Sequence, residues 1–486
     1  MTSKPRSSGR KPPSRRKPAQ GRRPGASDRS SRPERRSAAP QAPSSASSRK
    51  LREDLVLMTA LEVLGLVGDG WLADRALEGV LRRKKALWAS ERRAVAERVY
   101  ASLRRGRTID FLLSQAWDRF DALEQTRKDA LRLAAARVLM GESVSDVERT
   151  SGIADSDRQV ISRLPEAAQV LQSLPFEERF PIASALPDFL AARYLELYGA
   201  DAERAAEAMN ERAPLTARVN LLKGSREELV ARLAEEGVDA RPCPLSPFGL
   251  FLETRINAFS LPSFKEGWFE LQDEGSQLLG MLVDAPPTRV VDACAGAGGK
   301  TLQLAAQMKN RGDLHALDVD AKRMDALKKR ARRAGVHNVR IRVIAADEAA
   351  DAQLAELGPI ADRVLVDAPC TGTGTFRRKP DARLRLTEED VAMHVERQKV
   401  LLERFSALVK PGGRLIYGTC SILPEENEEV IADFLSRHPE YSVKPLSELL
   451  EPEVAEKVAS GNFLRLAPHR HGTDGFFGAV LVRART

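Results

Sequence analysis

From residue 289 onward, four short apolar runs each end on an acid or a cysteine. RVVDA (289–293) leads to Cys294, and DLHALDV (313–319) holds Asp318. RVLVDAPC (363–370) delivers Asp367 and Cys370, and RLIYGTC (414–420) delivers Cys420. Runs this short, with no polar alternation, suit the fully buried strands of a parallel sheet. Helical stretches at 321–334, 387–409 and 424–437 separate them, and 339–345 and 474–482 read as further strands. Strands alternating with helices argue for a doubly wound α/β sheet. Ligands of such sheets bind outside the carboxyl ends of the strands, where these acids and cysteines stand. Taken singly, each remains compatible with an ordinary capped strand or a small buried thiol.

The turn after the first run is Cys294-Ala295-Gly296-Ala297-Gly298-Gly299-Lys300, and a helical pattern follows. Glycines let the backbone approach a ligand, and a helix N-terminus supplies free N–H groups. A phosphate-binding Walker loop needs glycine at 294, which is cysteine. A dinucleotide fingerprint starting at Gly296 needs glycine at 301, which is threonine. An S-adenosylmethionine loop, with no phosphate to cradle, remains. Asp318 then stands about 20 residues on, where a carboxylate accepts from ribose hydroxyls. Asp347, after the third strand, is placed to hold the adenine amine.

Cys370 and Cys420 are delivered to one end of one sheet, so they can flank one pocket. A thiolate is a strong nucleophile. The C5 carbon of a pyrimidine is too poor a nucleophile to take a methyl group. Addition of a thiolate at C6 makes C5 enamine-like, and a base later removes the C5 proton as the thiolate leaves. Two cysteines and a carboxylate suit that cycle as nucleophile, release group and partner of ring N3. Physical reasoning alone does not say which cysteine is which.

The remaining chain divides by composition. Residues 1–50 hold fifteen Lys/Arg against two acids, Asp28 and Glu34, while the remainder holds 62 basic and 66 acidic residues. Residues 1–48 carry Met1 as their one large apolar side chain, too little to fold, and suit a basic arm for a polyanion. Residues 49–145 read as about five helices without a strand, and 146–270 as a helical linker and a small α/β lobe. Four cysteines without a CxxC pair, and six scattered histidines, point to no metal and no disulfide frame. No run has the length of a membrane span and the N-terminus lacks a signal-peptide core, so a cytoplasmic, membrane-free protein is expected. Nothing in the sequence calls for an obligate protein partner.

DACAGAGGKT, ALDVD, DAPCTGTGTFRRKPD, YGTCSILPEENE and GTDGFF, in this order and spacing, resemble the RsmB/Nop2/Sun family of RNA 5-methylcytosine methyltransferases. RVNLLKGSREEL (218–229) and LQDEGSQL (271–278) are similar to segments that precede its catalytic domain. Arg52, ADRAL (73–77) and ERRAVAERVYASLRRGRTIDFLL (91–113) resemble a NusB-like RNA-binding domain, which points to members acting on small-subunit ribosomal RNA.

The resemblance implies an all-α NusB-like domain, a small α/β lobe and a Rossmann-like class I methyltransferase domain at 271–486. It implies S-adenosylmethionine on residues 294–300, Asp318, Asp347 and Asp367, with Asp367 also near the target base. Cys420 would be the nucleophile and Cys370 would assist release. Arg377, Arg378 and Lys379, read from their place after the Cys370 loop, are expected on RNA phosphate, with a solvated surface as the equal reading of bare charges. Transfer RNA as substrate, or a non-catalytic ribosome assembly factor on the same fold, are the alternatives. One departure is the loop, where the family has Ala-Pro and this chain has Gly296-Ala297. Losing the proline removes a stiffening φ constraint, and cofactor binding is expected to survive on Gly298 and Gly299.

Overall fold

The computed structural model describes residues 50–254 and 256–485; the basic tail anticipated at 1–48 lies outside the described residues. Helices α1 (Glu53–Gly68), α2 (Ala73–Arg83), α3 (Ala89–Arg104), α4 (Gly106–Ala116) and α5 (Gln125–Leu139) open the described chain. Val56, Ala60 and Val63 of α1 pack on Val80 of α2 and on Val95 and Val99 of α3, all fully buried. Arg52, just before α1, ties the group together. Its guanidinium donates to the buried Glu91 carboxylate of α3 at 2.6 and 2.7 Å and lies over Trp88. Shorter helices continue to Asn210. Among the described residues no helix is long and apolar enough to cross a membrane.

The small lobe is an antiparallel sheet of β1 (Thr216–Val219), β2 (Ala240–Pro242), β3 (Gly249–Leu252) and β4 (Phe269–Leu271), in the order β2-β3-β1-β4. Two residues of the RVNLLK segment tether it to the following domain. Arg218, wholly buried, donates to the Gly299 carbonyl at 2.8 Å, and burial pulls its pKa down to about 9. The Asn220 amide donates to the carbonyls of Gly267 and Ala334, each at 2.8 Å.

The large sheet contains β5 (Arg289–Asp292), β6 (Asp313–Asp318), β7 (Val339–Val343), β8 (Ala361–Asp367), β9 (Val409–Thr419), β10 (Tyr441–Val443), β11 (Ala459–Ser460), β12 (Phe463–Leu466) and β13 (Phe476–Arg483). Its order is β11-β12-β13-β9-β8-β5-β6-β7, with β10 also pairing β13. Strands β7, β6, β5, β8 and β9 are parallel; β13 runs antiparallel between β9 and β12. Val290, Val291, Val364, Leu365, Val366, Leu415, Ile416 and Tyr417 are fully buried because helices cover both faces. Burying each such side chain contributes about 1.5–3 kcal/mol. β7 is the edge strand and reads accordingly, with Arg340 and Arg342 exposed.

The order of the parallel strands reverses between β5 and β8, and ligands of such sheets bind in the crevice outside the carboxyl ends at that point. Some boundaries differ from the sequence reading. The helix expected at 387–409 runs Glu388–Ser406, capped by the Thr387 hydroxyl accepting from Asp390 N–H. Pro411-Gly412-Gly413 lies within β9, as extra residues opposite Ala361–Arg363, rather than ending a helix. The helix expected at 424–437 is divided into a turn, Pro424–Glu426, and a helix, Glu428–Arg437.

The helical region closes onto a segment just beyond the Cys370 loop. Asp381 accepts from Ala73 N–H, and Arg385 donates to the carbonyls of Gly70 and Trp71 at 2.8 Å. Arg383 is buried between them, donating to Asn210 Oδ1 at 2.6 Å and to the Met209 carbonyl at 3.2 Å. Desolvation lowers its pKa to about 10.

Candidate active site

β5 ends on buried Asp292, whose Oδ2 accepts from the Thr301 hydroxyl at 2.7 Å; burial pushes its carboxyl up to about 7. The chain then turns through residues 293–298 into the helix Gly299–Gln307. Gly298 takes φ +90°, and a Cβ there would sit 2.1 Å from Leu327 Cδ1, so only glycine fits. Ala297 is exposed, and its carbonyl accepts from Arg330 Nη1 at 2.7 Å. The loop without proline is thus held from outside by a guanidinium.

Asp318, at the end of β6, accepts from Gly296 N–H at 2.7 Å and from Asp320 N–H at 2.8 Å. It borders a cavity of about 590 Å³, whose other walls include Cys294, Val319, Ile344, Ala345 and Pro369. That volume suits a small organic ligand. An oriented carboxylate and the apolar side chains of Val319, Ile344, Val400 and Leu401, on a rim that also carries Arg323, Glu396 and Arg397, fit a ribose and an adenine. Cys294 lines this cavity as a neutral wall, since burial pushes its thiol up. Asp347 does not join it: the side chain is exposed, and its Oδ1 accepts from Ala349 N–H at 3.0 Å.

Beyond the cavity, β8 and β9 deliver their cysteines side by side. Cys370 Sγ and Cys420 Sγ are 3.4 Å apart. Asp367, at the end of β8, pairs with Lys300 from the loop helix, Nζ to Oδ2 at 2.7 Å, and Lys300 also lies over Phe476. The loop Thr371–Gly374 is sewn to its surroundings through its backbone. Gly374 N–H donates to the Cys420 carbonyl and Gly475 N–H to the Gly374 carbonyl. A Cβ at Gly374 would stand 2.2 Å from the Gly475 oxygen, which accounts for glycine in both motifs.

The two thiols are not equivalent. Cys420 is pulled below the ordinary thiol value, first by accepting the Cys370 hydrogen and further by the charges of Lys300 and Lys379, against burial and Asp367. Cys370 is pushed well up, first by donating to Cys420 and next by burial. Of the two, Cys420 is therefore the thiol that gives up its proton more readily, and Cys370 the one that keeps it.

The basic run after this loop corrects an expectation. Arg377 and Arg378 do not face outward for phosphate. Both guanidiniums pair with the buried Asp474 at 2.5 Å, and Arg378 also reaches Asp273 at 2.8 Å. They are structural because a buried carboxylate claims them; only Lys379 of the three is exposed.

The sequence of this chain matches, over residues 281–482, the model of the 16S rRNA methyltransferase RsmB/F family. Residues 186–258 match the ferredoxin-like domain of RsmF/B-like methyltransferases. The probable ribosomal RNA small subunit methyltransferase B of Synechocystis sp. is 31% identical over 436 residues, which span 85% of this chain and 94% of that one. The chain belongs to the RsmB/F methyltransferase family. The Bacillus subtilis member is 33% identical over 301 residues, 62% of this chain and 66% of that one. Among solved structures, PH0851 superposes with a TM-score of 0.71 at 30% identity, covering 88% of this chain and 98% of the other. A methyltransferase homolog from Pyrococcus horikoshii gives 0.55 at 33% identity, covering 64% and 99%.

In this RsmB/F chain the sheet-rich C-terminal domain is therefore that of a class I methyltransferase, and its cofactor is S-adenosylmethionine. The cavity beside Asp318 is the part of the site that fits it. Some partnerships of this RsmB/F site carry no mark in the sequence. Lys300, expected in the cofactor loop, also pairs with Asp367. Glu426 and Gln398 stand in stretches that read as helical, with nothing to single them out.

Proposed function

We propose that this protein methylates C5 of a cytosine in small-subunit ribosomal RNA through a covalent bond between Cys420 and C6. The observation that carries the reading is the 3.4 Å approach of two thiols beside the Asp367–Lys300 pair. The Cys420 thiolate adds to C6, and electron density moves to C5. Bound S-adenosylmethionine supplies the methyl group that C5 takes. A base then takes the C5 proton, and the electron pair it leaves expels the Cys420 sulfur as thiolate, with the neighbouring Cys370 thiol assisting release by hydrogen-bonding the departing sulfur. Asp367, oriented by Lys300, faces the N3 edge of the ring. Reaching these groups requires the base to leave its stack.

The helical region, read as NusB-like, supplies RNA contact in this account, as does the exposed Lys379 near Cys420. The test is methyl transfer to unmodified small-subunit ribosomal RNA from a labelled cofactor, with the product nucleosides separated by mass. 5-Methylcytosine is expected. Label on any other nucleoside, or none on this RNA or on transfer RNA, overturns the proposal.

A further inference from the structure

Glu426 is fully buried and has no part in the steps above. It lies six residues after Cys420, in the turn Pro424–Glu426, yet its carboxylate serves the other cysteine. Oε1 accepts from Thr371 N–H at 2.9 Å, and Oε2 accepts from the Thr371 hydroxyl at 2.5 Å. Oε1 also accepts from the Gln398 amide at 2.9 Å. The same Gln398 nitrogen donates to the Pro369 carbonyl at 3.0 Å. Both chain neighbours of Cys370 are thereby clamped, Thr371 by Glu426 from the segment that carries Cys420 and Pro369 by Gln398 from the helix Glu388–Ser406, which Glu426 holds in turn. The Tyr417 hydroxyl, donating to the Glu426 carbonyl at 2.6 Å, fixes the turn itself.

The charge matters as much as the clamp. All three donors to this carboxylate are neutral groups, and in a buried setting a charge so satisfied still acts over several ångströms. It adds to the hydrogen bond, burial and Cys420 charge that hold Cys370 protonated. On the other side, Lys300 and Lys379 favour the charged form of Cys420.

We infer that Glu426 is a positioning residue that assigns the two cysteines their parts, keeping Cys370 the neutral thiol and leaving Cys420 the thiolate. The inference rests on the proposed roles of that pair.

Alkylation of the full chain by iodoacetamide, with peptide mapping across a pH series, reads the assignment without needing turnover. In the parent protein Cys420 is labelled before Cys370. Glu426→Gln keeps the shape and removes the charge. It should lower the Cys420-to-Cys370 labelling ratio about tenfold, the equivalent of one pKa unit, and move Cys370 labelling to lower pH. Thr371→Val deletes one hydrogen bond but keeps the charge, so its ratio should stay at the parent value. In turnover assays with RNA, Glu426→Gln should lower kcat with KM for RNA unchanged.

A Glu426→Gln protein that loses activity while the labelling ratio and its pH dependence stay put shows a merely structural residue and overturns the inference alone. Cys370 labelled first in the parent protein overturns both this inference and the Cys420 assignment.

Discussion

The two loops that carry Cys370 and Cys420 are neighbours, ending adjacent parallel strands, with sulfurs 3.4 Å apart. Their surroundings are opposite. The Cys420 side faces the cations of Lys300 and Lys379. The Cys370 side is clamped by a buried carboxylate, and the chain just beyond it is anchored by a second one, Asp474. The same thiol at the same kind of strand end is pulled below its ordinary pKa in one setting and pushed above it in the other, the difference on which the proposed roles of nucleophile and release group rest. What distinguishes them is first the hydrogen bond between the two sulfurs and then the charges around each, Lys300 and Lys379 against Asp367 at Cys420 and Glu426 at Cys370.

The largest expected effect on that contrast is to cut the anchor of the Cys370 side. Asp474→Ala leaves two guanidiniums, one of them almost fully buried, with Asp273 as their remaining carboxylate. Removing one partner of a buried pair costs about 3–5 kcal/mol. Urea unfolding should show a loss of that order. A loss below about 1 kcal/mol would mean the anchor is dispensable.

Next is the cation on the Cys420 side. Lys300→Met removes one of the charges that lowers the Cys420 pKa and leaves Asp367, which raises it, unpaired. Thiolate is the form present above the pKa, so raising the pKa moves the acidic limb of kcat/KM to higher pH. At pH 7 the rate should fall by about 10²-fold, the scale of losing one well-placed catalytic interaction, with part of the loss recovered in alkali. A limb that stays in place would blur the contrast between the two sides.

Much of this site was legible because of where it sits. Strands buried on both faces read as unbroken apolar runs, and strand ends fall where the runs stop. Asp318, Asp367, Cys370 and Cys420 could therefore be placed by counting. What the residues did not disclose were partnerships across the fold. A run such as Arg377-Arg378-Lys379 looks the same whether it meets phosphate or a buried aspartate 97 residues away. Asp347 follows its strand as expected, but the chain turns so that its carboxylate caps the next residues instead of facing the cavity. Glu426 was hidden in an acidic stretch resembling a solvent-facing helix; only the division of that helix into a turn and a helix buries it. Short edge strands such as β10 and β11 carry too few residues to show a period.

The measurement that tests the central claim most directly is covalent capture. Cys370→Ala and Cys420→Ala proteins, each expressed in cells, are run on a denaturing gel and probed for bound RNA. If Cys420 is the nucleophile and Cys370 serves release, only Cys370→Ala accumulates a protein–RNA adduct, and sequencing the captured RNA names the target cytosine. An adduct only in Cys420→Ala, or in neither protein, would contradict the account.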